Sequence, residues 1–116
     1  MNPTEQFFTE QLPALIIKEL ARFRALHGTV AFSCGGHKFT LCLGDLDAPI
    51  VPGFLRSADV KVWFFGDAFE RFLNGEAVSG KRNVRVEGDA DVLERFGKLL
   101  MPAASSLSVR FASANV

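Results

Sequence analysis

Over the first part of the chain, apolar residues recur at three- and four-residue steps: Phe7, Phe8, Leu12, Leu15, Ile16, Leu20 and Phe23. That spacing draws one apolar stripe and predicts an amphipathic helix over residues 4–26. Pro13 falls inside the stripe, so a kink, or two short helices meeting there, is expected. His27-Gly28 is expected to close the helix, with Gly in the left-handed cap position and His at the negative end of the dipole. The period then shortens to two. Thr29–Cys34 and His37–Leu43 alternate on either side of Gly35-Gly36, which is a hairpin signal. Pairing Cys34 with His37 puts Val30, Phe32 and Cys34 on one face with Phe39, Leu41 and Leu43. Cys42 falls on the other face, with Ala31, Ser33, Lys38 and Thr40.

From Gly44 to Ser57 the pattern breaks down. Pro49 and Pro52 argue against a central strand and allow an edge strand near residues 48–52. Ile50, Val51, Phe54 and Leu55 must be buried somewhere, either packed under the sheet or as a flap over a ligand entrance. Residues 59–65 alternate again, Val60, Val62 and Phe64 against Lys61, Trp63 and Phe65. The second face of this strand is itself partly apolar, as in an interior strand or an interface, and Trp63 is expected on it. A helix over 67–74 presents Phe69, Phe72 and Leu73, and a strand over 83–87 turns Val84 and Val86 inward. A helix over 91–101 offers Val92, Leu93, Phe96, Leu99 and Leu100, and stops at Pro102. Both helices follow a Gly-Asp, at 66–67 and 88–89, one strand-to-helix junction used twice. Beyond it Leu107, Val109 and Phe111 alternate, a weak strand signal. Residues 1–116 read as a single domain, with 1–3 and 103–116 as flexible or interface-forming tails. The alternation in 105–111 suggests a homodimer contact.

Composition sharpens this picture. The chain has 12 Phe, one Trp and no Tyr, so its aromatic set supplies bulk without hydroxyls that need partners. Either a Phe-rich core or a lined cavity would use it. With 13 basic and 13 acidic residues and no basic run longer than Lys81-Arg82, the chain lacks the positive footprint of a nucleic-acid binder. Its apolar runs fall far short of the ~20 residues that span a bilayer. The start of the chain lacks the basic character of a signal peptide, and a cytoplasmic protein is expected. Opposite faces put the two cysteines beyond bridging, so free thiols are expected.

Candidate chemistry dissolves into local roles. Asp67 with Glu70 and Asp91 with Glu94 stand where helices begin and read as capping residues. Asp45 and Asp47 read as turn formers rather than metal ligands. A Cys34–His37 pair across the hairpin tip has no pocket and no orienting third group. No nucleophile, base and oxyanion donor come together. The expectation is a protein that is not an enzyme and carries no cofactor or metal.

The order of elements over residues 57–100 resembles the sterol carrier protein 2 (SCP2-like) lipid-transfer domain. The matching words are Ala58-Asp59-Val60 opening a strand, Leu73-Asn74-Gly75 closing a helix, and Gly88-Asp89 ending a short strand before an apolar helix. The leading helix and hairpin follow the family's order as well. Arg82 stands where the family usually has Gly. The resemblance implies an α+β fold, a mixed five-stranded sheet with helices packed on one face and an apolar tunnel between the layers. It implies a sterol, fatty acyl or isoprenoid-like ligand against Phe32, Leu41, Val62 and Phe64 of the sheet and Phe69, Phe72, Phe96 and Leu100 of the helices. Transient membrane-surface contact goes with such a carrier. The alternative is an accessory or interaction module with a filled core, for example in ubiquinone biosynthesis.

Overall fold

A computed structural model describes residues 2–76, 78 and 80–100, with side chains described up to residue 96. Strands β1 (Gly28–Cys34), β2 (His37–Leu43), β3 (Ile50–Pro52), β4 (Val60–Phe64) and β5 (Val84–Gly88) form one sheet in the order β3-β2-β1-β4-β5. The hairpin register is the expected one, with Cys34 opposite His37 and Phe32 opposite Phe39. β1 and β4 run parallel, and the other neighbours are antiparallel. Helices α1 (Pro3–Gln6), α2 (Leu12–Lys18), α3 (Leu20–Arg24), α4 (Ala68–Leu73) and α5 (Ala90–Leu100) accompany the sheet, with a π-helical turn, Phe7–Gln11, joining α1 to α2.

Alternation along the strands separates two faces. Val30, Phe32, Cys34, Leu41, Leu43, Val60, Val62, Phe64, Val84 and Val86 are buried and form one cluster with Phe8, Leu12, Ile16, Phe23, Phe69, Phe72, Val92, Leu93 and Phe96 of the helical layer. The opposite, outer face holds Lys38, Ser33, Trp63 and Arg85 in one row across four strands. It is partly covered too. β3 and β4 point the same way, so the chain between them must return along the sheet, and residues 53–59 do so over the outer face. Thr40 anchors that return: its hydroxyl donates to the Gly53 carbonyl (2.8 Å) and accepts from the Leu55 N–H (3.0 Å). Thr40 and Ala31 are consequently buried although they face away from the helices.

Four local expectations are corrected. The leading helix does not break at Pro13: it widens just before it, and the break comes at Glu19 (φ −110°, ψ 37°). α3 ends at Arg24, where tight turns through Ala25 and Leu26 close it, so Gly28 opens β1 instead of capping a helix. Asp67 stands at the start of α4 in a conformation (φ −96°, ψ 13°) that gives its side chain no capping bond, and its carboxylate accepts from Arg71 Nε at 3.0 Å. At α5 the carboxylate of Asp89, not Asp91, accepts from the Asp91 N–H (3.0 Å). The 105–111 segment and its dimer contact lie outside the described residues.

The parallel β1–β4 pair has no turn to set its register, and side chains set it. The Thr29 N–H donates to Asp59 Oδ2 (2.9 Å), and Thr29 Oγ1 donates to the same oxygen (3.3 Å) and accepts from the Asp59 N–H (2.9 Å). The Asp59 carbonyl in turn accepts from the Asp89 N–H (2.8 Å). Gly88 (φ +104°) approaches so closely that a Cβ there would lie 2.2 Å from that carbonyl oxygen. At Gly28 (φ +119°) a Cβ would lie 2.9 Å from Val92 and 3.3 Å from Asp59 Oδ2. Asp59→Ala removes bonds to a charged acceptor and is expected to cost about 1–2 kcal/mol, the lower part of the range because the carboxylate is exposed. Gly88→Ala adds both strain and a backbone clash and should cost roughly 2–5 kcal/mol. Urea unfolding of the two variants checks the order, and an Asp59→Ala loss exceeding that of Gly88→Ala would contradict it.

Candidate functional site

Pro13 shapes the edge of the helical layer. A proline inside a helix has no N–H and crowds the carbonyl four residues back, here Thr9. The wider π-helical turn accommodates this: the Leu12 N–H donates to the carbonyl of Phe7, five residues back. The helical rod thus passes the proline unbroken. Phe8 comes down onto the sheet from this turn, its ring stacked on Phe39 (centroids 4.5 Å apart, planes 13°).

An apolar cavity of about 420 Å³ opens between this turn and β3. Phe8, Thr9 and Pro13 form its helical wall, Phe39 its sheet wall, and Pro49, Ile50 and Pro52 its rim. Prolines bring no N–H, so three of them around one opening leave a wall poor in donors, suited to hydrocarbon rather than to a polar ligand. The volume lies within the range of small-molecule sites.

Behind the cavity lies the aromatic layer that the sequence singled out. Phe32, Leu41, Val62, Phe64, Phe69, Phe72 and Phe96 are brought together, all between 0% and 8% exposed. Phe64 meets Phe69 edge-on (4.9 Å) and Phe72 at 5.7 Å, and Phe32 meets Phe96 at 6.4 Å. The side chain of Leu100 lies outside the described residues. None of these seven lines the edge cavity. Phe8 connects the two, since its buried ring also contacts Phe32 (5.3 Å) and Phe69 (5.6 Å). Sequence reading placed Phe8 on the helix stripe and Phe39 on the inner sheet face without assigning either to a site. The clue available was the Phe7-Phe8 pair one turn before a proline, facing a loop with two more prolines.

The polar groups near this edge are occupied. His37 Nε2 accepts from the Asn2 amide (2.6 Å) and its Nδ1 faces Glu5 (3.2 Å). Asn2 Oδ1 accepts from the Glu5 N–H (2.8 Å), which fixes the amide's orientation and hence Nδ1 as the protonated ring nitrogen. Cys34 opposite it is a free thiol inside the core, and burial pushes its pKa far above the ordinary thiol value. Burial also raises Cys42, helped by the neighbouring Asp45 carboxylate. Neither thiol is activated as a nucleophile. Asp45 accepts from the N–H groups of Asp47 (2.9 Å) and Ala48 (3.1 Å), the expected turn role. Among the described residues no helix is long and apolar enough to cross a membrane.

No family model and no curated protein sequence matches the chain. Solved structures do. A protein described as UbiJ-SCP2, a ubiquinone synthesis protein, superposes with a TM-score of 0.53 at 16% identity, covering 91% of this chain and 99% of its own. Sterol carrier protein 2 like 2 from Aedes aegypti gives 0.44 at 16% identity, over 76% of this chain and 94% of its own. The element order, the mixed five-stranded sheet, the helices on one face and the first of these superpositions agree, and the chain has the SCP2-like α+β fold.

Proposed function

We propose that the chain is a non-catalytic lipid-binding carrier that holds a sterol, fatty acyl or isoprenoid-like ligand between its sheet and helices. The observation that carries this reading is the apolar, proline-rimmed cavity at the β3 edge, which Phe8 separates from the Phe layer. In it, Phe8 is the inner door: rotating its ring off Phe39 would extend the cavity toward Phe32 and Phe69. Phe32, Leu41, Val62, Phe64, Phe69, Phe72 and Phe96 would then receive the chain of the ligand. Burying roughly 300 Å² of hydrocarbon would supply about 7 kcal/mol before the costs of association, with little headgroup specificity required. A cytoplasmic setting fits two free thiols.

Delivery from a membrane fits the break between α2 and α3. Ile17 is 74% exposed and Leu20 41%, and Lys18, Arg22 and Arg24 are near them in sequence. Glu19 at the break pairs with Arg22 (3.6 Å), which leaves Lys18 and Arg24 beside the exposed apolar side chains, a mix that suits transient contact with an anionic bilayer surface.

The second reading, an accessory module with a filled core, is favoured by one observation: the five Phe of the layer already have ring neighbours within it, Phe32 with Phe96 and Phe64 with Phe69 and Phe72. The structural likeness to a ubiquinone synthesis protein suits such a role equally. Organic extraction of the purified protein followed by mass spectrometry separates the two. Co-purified lipid at near one per chain supports the carrier, and extracts free of lipid, with no oleate uptake, support the module.

For the carrier, Phe8→Trp, Phe72→Trp and Phe96→Trp are each expected to lower oleate uptake several-fold by filling the path. Ile17→Glu should slow transfer from anionic vesicles while leaving equilibrium binding of free oleate intact. Three Trp variants that bind oleate as the parent does would refute the layer assignment.

Trp63 lies on the outer face, separated from this layer by the sheet itself. As the only Trp it should change fluorescence little on oleate binding in the parent protein. Strong quenching by a brominated acyl chain would place the ligand on the wrong side of the sheet.

A further inference from the structure

The outer face carries a cleft that the lipid reading leaves unused. In the row Lys38, Ser33, Trp63, Arg85, the small Ser33 leaves a depression between two long side chains. The returning segment walls it with Phe54 and Arg56, and Lys61 flanks it, enclosing about 530 Å³. Phe54 packs against Trp63 with ring centroids 5.4 Å apart and planes 34° apart. The guanidinium of Arg85 lies over the Trp63 ring at 5.4 Å.

Charge in this cleft is unbalanced, although the whole chain has formal net charge zero. Its carboxylate, Glu87, is already paired with Arg85. Among the described residues, Lys38, Arg56 and Lys61 form no ion pair. Glu87 also stands opposite Lys61 in the β4–β5 register, but Lys38, Arg56, Lys61 and Arg85 outnumber this one carboxylate, and the excess positive charge raises the local concentration of anions. The floor adds a hydroxyl, Ser33, able to donate to an anionic oxygen, and the wall adds two aromatic rings. That combination selects a charged head together with a flat apolar body.

We propose that this cleft binds a soluble organic anion, a carboxylate or phosphate carried on a compact planar body. Lys38, Arg56 and Lys61 hold the anionic group, and Phe54 and Trp63 take the planar part. The site stands apart from the lipid reading, since β1 and β4 separate the two and either can fail alone.

Trp63 reports on it directly. The full chain is titrated with phenyl phosphate and with benzoate at low salt, following its fluorescence, with benzyl alcohol as the neutral control. A saturable change with at least one of the anions, none with the alcohol, and a loss of affinity of about tenfold in each of Lys38→Glu and Lys61→Glu are expected. Both substitutions are at solvent-accessible side chains, and unchanged thermal unfolding and circular dichroism confirm that the fold is intact. No saturable change with either anion, an equal response to benzyl alcohol, or undiminished affinity in the charge-reversed variants overturns the proposal. Phosphatidylglycerol vesicles form the last arm: binding to vesicles that depends on Lys38 and Lys61, without binding of either soluble anion, would make the face a membrane contact and overturn it as well.

Discussion

The parallel pairing of β1 with β4 is the constraint from which the rest of the structure follows. Antiparallel neighbours are joined or aligned by turns, but β1 and β4 lie on either side of an excursion through β2, β3 and the returning loop. Nothing local in the backbone sets their register. The reciprocal Thr29–Asp59 bonds do, and Gly28 and Gly88 are the residues whose missing side chains let Asp59 and Val92 come close enough. A slip of one residue would turn Val60, Val62 and Phe64 outward and Lys61 and Trp63 into the Phe layer. Burial of an unpaired ammonium makes that alternative costly.

With the register set, β4 serves two different environments. Its even-numbered residues enter a layer of Phe rings closed by α4 and α5. Its odd-numbered residues reach a charged, aromatic surface under the returning segment. One five-residue strand thereby separates an apolar compartment from an anion-attracting one. The sheet, rather than distance along the chain, keeps these two chemistries apart.

Proline supplies the other asymmetry. Pro13 is accommodated by the π-helical turn, and Pro49 and Pro52 keep β3 short and at the edge. Short proline-bearing edges resist pairing with other strands. Here they also leave helix and sheet incompletely closed on that side, which is where the apolar cavity opens. Edge protection and the opening of the cavity come from the same residues.

Much of this was legible in the residues themselves. Alternation gave the hairpin register and the two faces of β4, because a period of two admits one buried set. Helical spacing gave the layer residues Phe69, Phe72 and Phe96, and the Gly-Asp junctions marked where strands become helices. Local backbone detail was less legible: a proline in a helical stripe is compatible with a kink, a break or a π turn, and packing of Phe8 on Phe39 chooses among them. The caps expected of Asp67 and Asp91 failed for the same reason, since a cap depends on the dihedral angles of one residue, which neighbours set. Only the tertiary structure could decide that Phe8 stands between the edge cavity and the Phe layer. It alone showed that Phe54 and Arg56 fold back beside Trp63, because these contacts join residues that no sequence period connects. Composition and pattern determined which side chains are buried and on which face. The path of the chain between β3 and β4 determined which of the remainder meet.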